Sequence, residues 1–146
     1  MNIADSEIIN VYTPHTKKVT HIYLKESSAI LSTSNDGTLK VTTLCPEFDN
    51  MVIEPKEFEL TCFTLREQSF NPSKIDFFVG TSLGKLFYFY NGWFNNEKEL
   101  IHDDRQEGPV TNVVCYKDLV AWSTSSKIRL IHYSRRQKIC LIERPK

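Results

Sequence analysis

Residues 78 to 90 read F-V-G-T-S-L-G-K-L-F-Y-F-Y, and inside them Gly80-Thr81-Ser82-Leu83-Gly84 spells G-x-S-x-G. In hydrolases that spacing marks a nucleophile elbow, a strained strand-to-helix turn that presents a serine hydroxyl. A triad can be written in the order Ser82, Asp104, His132. Metal chemistry would draw on His15, His21, His102 and His132 and on Cys45, Cys62, Cys115 and Cys140. The cysteines form no C-x-x-C pair and no histidine falls at ligand spacing, so neither a metal nor a cofactor is expected. Scattered cysteines of this kind read as reduced thiols of a cytosolic protein. Two further groups suit binding. Trp93 and Phe94 sit in the polar stretch Y-N-G-W-F-N-N, and Asp103, Asp104 and Glu107 form an acidic patch beside Gly108-Pro109. Trp is over-represented among binding hot spots, although Trp93 folding back over a sheet edge is the plainer expectation. His102 beside Asp103 would make a pH-sensitive pair.

The elements that must position these residues decide among the chemistries. Three stretches repeat one pattern: I-L-S-T-S-N-D-G-T-L-K-V-T-T-L from Ile30, F-F-V-G-T-S-L-G-K-L-F-Y-F-Y from Phe77, and V-A-W-S-T-S-S-K-I-R-L-I-H-Y from Val120. Each is an apolar run, small hydroxylated residues, a turn and a second strand-like run. Aligning Gly37, Gly84 and Ser126 gives spacings of 84 − 37 = 47 and 126 − 84 = 42 residues, close to the ~40 to 45 of propeller blades. Asp36-Gly37 and Gly84 supply the positive φ that tight hairpin turns demand; Ser126 does not, so a turn of different shape is expected there. After the turns, Leu39/Val41, Leu86/Tyr88/Tyr90 and Ile128/Leu130 recur at period two, placing one side of each strand in a packed layer. Candidate strands also precede each hairpin (Val19 to Leu24, Leu60 to Leu65, Val110 to Tyr116) and follow the second and third (Leu100 to His102, Lys138 to Ile142).

The expected fold is therefore all-β: a partial β-propeller of about three four-stranded blades in an open arc. Its blades fall approximately at 15–58, 59–104 and 108–146, with 1–14 a candidate last strand of a preceding blade. In this frame the segment after Gly84 is an aromatic strand, not the helix an elbow requires. Ser82 is then a turn residue, with repeat equivalents at Asn35 and Thr124, and Asp36, Gly37 and Gly84 are structural turn positions. A small hydrolase is the weakest of the readings. Three blades are too few to close a ring, so either these residues are a segment of a longer protein, the favoured expectation, or another chain completes the arc.

Composition agrees with a globular binding module. The 146 residues carry a formal net charge of zero and 40% apolar content, so no global field would hold nucleic acid. Aromatics at 12% lean towards strands. The start, M-N-I-A-D-S-E-I-I-N, has neither the basic nor the apolar region of a signal peptide. Apolar runs such as Leu86 to Tyr90 fall far short of the ~18 residues of a membrane span.

In order and spacing these residues carry a resemblance. From Phe78 the pattern is an F-V-G run, a G-K-L turn, Gly92-Trp93-Phe94 with Asn95, L-I-H-D before Glu107-Gly108-Pro109-Val110, L-V-A-W (Leu119 to Trp122) and a closing I-E-R-P (Ile142 to Pro145). V-T-H-I-Y-L-K-E-S and S-N-D-G-T-L-K-V match an earlier blade. Together they resemble the N-terminal WD-repeat propeller of the vacuolar protein sorting-associated protein 41 family, a subunit of the HOPS tethering complex. The chain departs from that pattern at Cys115-Tyr116-Lys117-Asp118, where the family carries tryptophan and glycine. It departs again at Ile131-His132-Tyr133, where an aromatic-aspartate pair is usual. The resemblance implies a non-enzymatic scaffold in tethering at the late endosome and lysosome or vacuole. It implies a cytoplasmic protein peripheral to those membranes, with other HOPS subunits and a Rab-family GTPase or its adaptor as partners, and no nucleic acid. A WD-repeat scaffold of another trafficking or coat assembly is the alternative.

Overall fold

The computed structural model describes residues 15–25, 29–43, 51–53, 58–66, 76–90 and 97–145. They form three four-stranded antiparallel sheets, each a meander in chain order. The first sheet is β1 (Val19–Lys25), β2 (Ala29–Ser34), β3 (Leu39–Thr43) and β4 (Met51–Ile53). The second is β5 (Leu60–Leu65), β6 (Phe77–Thr81), β7 (Lys85–Tyr90) and β8 (Glu97–Asp103). The third is β9 (Val110–Tyr116), β10 (Leu119–Thr124), β11 (Lys127–His132) and β12 (Gln137–Glu143). A 3-10 turn, Arg105–Glu107, leads into β9. These sheets are the blades of a partial propeller, as the repeated hairpins predict. The candidate strand in 1–14 lies outside the described residues.

The hairpin turns explain why two carry glycine and one does not. Gly37 N donates to Ser34 O (3.1 Å) and Gly84 N to Thr81 O (3.3 Å), with φ of 80° and 76°. Each is a tight turn closed by a left-handed residue, where a Cβ would be strained. In the third hairpin Ser123 pairs with Ile128, whereas Thr33 pairs with Leu39 and Gly80 with Leu86. That turn is one residue shorter and needs no left-handed position. The shorter turn also corrects the repeat alignment. Thr124 accepts from Lys127 N as Thr81 accepts from Lys85 N, so the counterpart of Ser82 is Ser125, not Thr124.

Two apolar clusters fasten the sheets together. Leu31, Leu39 and Val41 of the first blade pack with Leu60, Phe63, Phe77 and Phe87 of the second. Cys62, Phe78, Leu86 and Tyr88 of the second pack with Val110, Val113, Val120 and Trp122 of the third. Period-two alternation lets one sheet serve both clusters, because neighbouring strand residues point to opposite faces. Trp122 is interior packing, 4% exposed.

A recurrent irregularity joins the inner strands. Thr20, Thr61 and Thr111 are each skipped in the pairing of their strand with the next, and so form the extra residue of a β-bulge. A bulge re-aims its side chain. Thr20 Oγ1 donates to Leu60 O at 2.7 Å, and Thr61 Oγ1 donates to Val110 O at 2.5 Å. Each hydroxyl thus crosses to the first residue of the next inner strand.

Candidate functional site

The hydrolase constellation is not assembled. Ser82 lies in the β6–β7 turn, and the chain continues from it into strand β7, with no helix to stabilise an oxyanion. His132 ends β11, five residues beyond the end of the third blade that neighbours the β6–β7 turn, or about 17 Å along a strand. Its Nδ1 accepts from Arg135 N. Asp104 caps the 3-10 turn, accepting from Gln106 N at 2.9 Å, and its own N–H donates to Gly84 O.

The acidic trio divides into three environments. Asp103 is exposed, with Lys85 Nζ 3.9 Å away, and Asp104 is half-buried. Glu107, expected on the docking patch, is 3% exposed and turned inward. Arg129 donates to both its carboxylate oxygens through Nε and Nη2. Lys127 Nζ stands 3.7 Å off, and Thr124 Oγ1 donates to Oε2. Arg129 holds the Glu107 carboxyl below the ordinary carboxylate range, against the opposing effect of burial. Glu107 is therefore withdrawn from the partner surface: it is the clasp that fixes the entry loop of the third blade to its hairpin. His102 likewise pairs with Glu107 rather than Asp103, because adjacent strand residues face opposite ways. Its Nε2 lies 3.3 Å from Glu107 Oε2, without the alignment of a hydrogen bond. Burial holds its imidazole below the ordinary value, against the pull of Glu107.

The first blade has an equivalent clasp that sequence reading missed. His15, four residues before β1, places Nδ1 3.1 Å from Asp36 and 3.0 Å from Thr38, and Nε2 2.8 Å from Ser32. The ring thus ties the turn carboxylate to the hydroxyls of Thr38 and Ser32. Burial pushes the Asp36 carboxyl up, but hydrogen bonds from Thr38, Thr16 and His15 prevail and bring it down to about 2. Asp36 is thus a hub as well as a turn residue.

A polar junction at the opposite end of the blades was also unforeseen. Arg66, at the close of β5, donates to Tyr88 Oη and to Asp118 of the third blade, both at 2.9 Å. Its guanidinium lies 4.7 Å from the Tyr133 ring centre, and that of Arg136 lies 4.9 Å from the same ring. Tyr133 donates to Glu99 at 2.7 Å, and Arg136 donates to the same carboxylate. Burial opposes the Arg66 charge, yet Tyr88 and Asp118 outweigh it and hold the guanidinium protonated.

Between these two ends, β8 of the second blade and β11–β12 of the third bound a groove of about 530 Å³, within the size range of ligand pockets. Ile101, Leu141 and the Trp122 edge give it apolar walls, and Asp103, Asp104 and Lys138 give it charged ones. Trp122 Nε1 is buried with no acceptor among the described residues. No metal-ligating cluster occurs among the described residues, and Trp93 and Phe94 lie outside them. No helix among the described residues is long and apolar enough to cross a membrane.

Two comparisons with known proteins match this architecture. A family model of the Vps41 β-propeller, with the description "Vps42 beta-propeller", covers residues 1–146. The vacuolar protein sorting-associated protein 41 homolog of Solanum lycopersicum is 24% identical over 143 residues, covering 94% of this chain and 14% of the relative. The chain therefore spans about one seventh of that relative's length.

Proposed function

The chain belongs to the Vps41 β-propeller family, and on that premise we propose that it is an interaction scaffold within a HOPS-type tethering subunit. The work is binding without bond chemistry: loops and grooves carried on rigid sheets select a partner. The parent protein would act in vesicle tethering and fusion at the late endosome and the lysosome or vacuole. It would be cytoplasmic and attach to those membranes peripherally through its complex. The other tethering subunits and a Rab-family GTPase or its adaptor are the proposed partners. The groove between the second and third blades, with Asp103 and Asp104 at its edge, is the proposed contact region, together with Trp93 and Phe94.

The observation that carries this reading is the family match along the whole chain, joined to three stacked blades of which the first and third carry polar clasps. Affinity purification from cells tests it. The tagged protein should recover the other tethering subunits, and Asp103→Lys, at an exposed position, should reduce recovery several-fold without loss of folding. Recovery of a different coat assembly, or of no tethering subunit, would contradict the proposal.

A further inference from the structure

We infer that the end of the third blade formed by its β9–β10 and β11–β12 turns docks an acidic segment of a partner protein. Charge divides sharply along the chain. Residues 1–107 hold 10 lysines and arginines against 16 aspartates and glutamates, whereas residues 108–146 hold 8 against 2. A formal charge of −6 thus stands beside one of +6, concealed by the net value of zero. Part of the basic excess is answered inside the fold. Arg129 and Lys127 face Glu107, Arg136 donates to Glu99, and Arg144 donates to Thr124 O. Asp118, the carboxylate next to Lys117, is taken by Arg66 and Ser134. Lys117, Arg135 and Lys138 are exposed and make no ion pair among the described residues.

The sheet register brings these three cations to one end. Leu119 pairs with Tyr116 on one side and His132 on the other, and His132 pairs with Gln137. The two turns therefore stand side by side, about 10 Å apart at two strand spacings. Their backbone shows that the basic side chains are kept at a cost. The non-glycine residues with positive φ among those described are Lys117 (53°) and Arg136 (52°). Each sits in one of these turns, where glycine or asparagine would relieve the strain. Left-handed strain borne twice by an exposed basic residue marks a surface under functional demand. The occupant is a short acidic segment rather than a larger polyanion. Lys117, Arg135 and Lys138 fall short of the roughly four to eight cations that a bilayer surface recruits. A bilayer or a nucleic acid covering this end would also meet Glu97 and Glu99 of the adjoining blade. Screening confines a short peptide to the field within ~8 Å, and carboxylates about three residues apart on an extended segment would reach both turns. This surface goes beyond the groove contact proposed above, since Asp103 closes β8 at the opposite end; Lys138 alone belongs to both.

The test is fluorescence anisotropy of a dye-labelled octaglutamate peptide with the full polypeptide that the gene encodes. Binding should be measurable at low ionic strength and lost in about 0.5 M salt. Lys117→Glu, Arg135→Glu and Lys138→Glu together should weaken it about tenfold or more, and Arg135→Glu alone, at an exposed turn, about threefold. Lys17→Glu with Lys18→Glu, exposed cations of the first blade, should change it by less than about twofold. Lys117→Gly should lower affinity about threefold while leaving Tm unchanged or raised, because the turn is relieved of its strain. A role of Lys117 in stability alone would instead lower Tm and leave affinity unchanged, and would overturn the inference. Equal affinity of the triple variant and the wild type would also overturn it. Vesicles of about 30% phosphatidylserine bound by the wild type but not by the triple variant, with no binding of the peptide, would assign this end to a membrane surface and overturn it as well.

Discussion

The two junctions between blades are made differently. The first brings Leu31, Leu39 and Val41 against Phe63, Phe77 and Phe87, with Phe77 and Phe89 stacked at 5.1 Å. The second has its own apolar cluster, and adds Arg66 reaching across to Asp118 and the Tyr133 ring, and Tyr133 reaching back to Glu99. An apolar junction resists salt and pH, since its free energy follows area removed from water. A junction with part-exposed charges weakens as those charges are screened or neutralised. One fold thus carries a mainly apolar joint, with His21 edge-on to Phe63 as its titratable member, and a joint braced by charge.

Damage to the apolar joint should cost most. Phe77→Ala removes a ring 1% exposed and should destabilise by about 3–5 kcal/mol. Chemical denaturation should give the same loss at low and high salt. A salt-dependent loss would show that charge contributes to the first junction after all. Next comes the clasp of the third blade. Glu107→Gln leaves Arg129 without its counter-charge in a largely buried place and should cost about 2–3 kcal/mol. Glu107→Gln with Arg129→Met should recover part of this. Arg66→Met should cost less, about 1–2 kcal/mol from lost cation–π contact and charged hydrogen bonds. Its defect should shrink in molar salt as the wild-type interaction is screened.

A further effect, about 2–3 kcal/mol between neutral and strongly acid pH, is an acid one. The Asp36 carboxyl sits at about 2 in the folded protein, below the ~3.9 of an unfolded chain. Its contribution to stability is therefore complete above pH ~4 and is lost as the pH falls towards 2. Asp36→Asn should flatten that part of the stability–pH curve. An unchanged curve would show that the His15–Asp36 clasp holds no free energy of its own.

The hairpins were legible because local chemistry and the buried pattern agree: Asp36-Gly37 and Gly84 mark turns, and Leu39/Val41 and Leu86/Tyr88 alternate. The clasps were not, because they join residues distant in sequence and carry no periodic signature. His15 meets Asp36, and Glu107 meets Arg129, only once a turn brings them together. Glu107 read as surface because acidic clusters beside Gly-Pro are usually solvated; its partner lies 22 residues on, in a strand otherwise read as packing. The threonine bulges were hidden for another reason. V-T, L-T and V-T open β1, β5 and β9, but a single threonine in a strand is too common to signal a bulge. β4 was also missed, its three residues falling in a stretch with no clear alternation.

Nuclear Overhauser contacts between blades test the central claim most directly. If the repeated hairpins are blades stacked on neighbouring inner strands, Thr61 and Gly80 should both show cross-peaks to Val110, and Lys85–Tyr90 should show strand-like carbon shifts. Helical shifts from Lys85 onward, with no contact between Gly80 and Val110, would contradict the propeller arrangement.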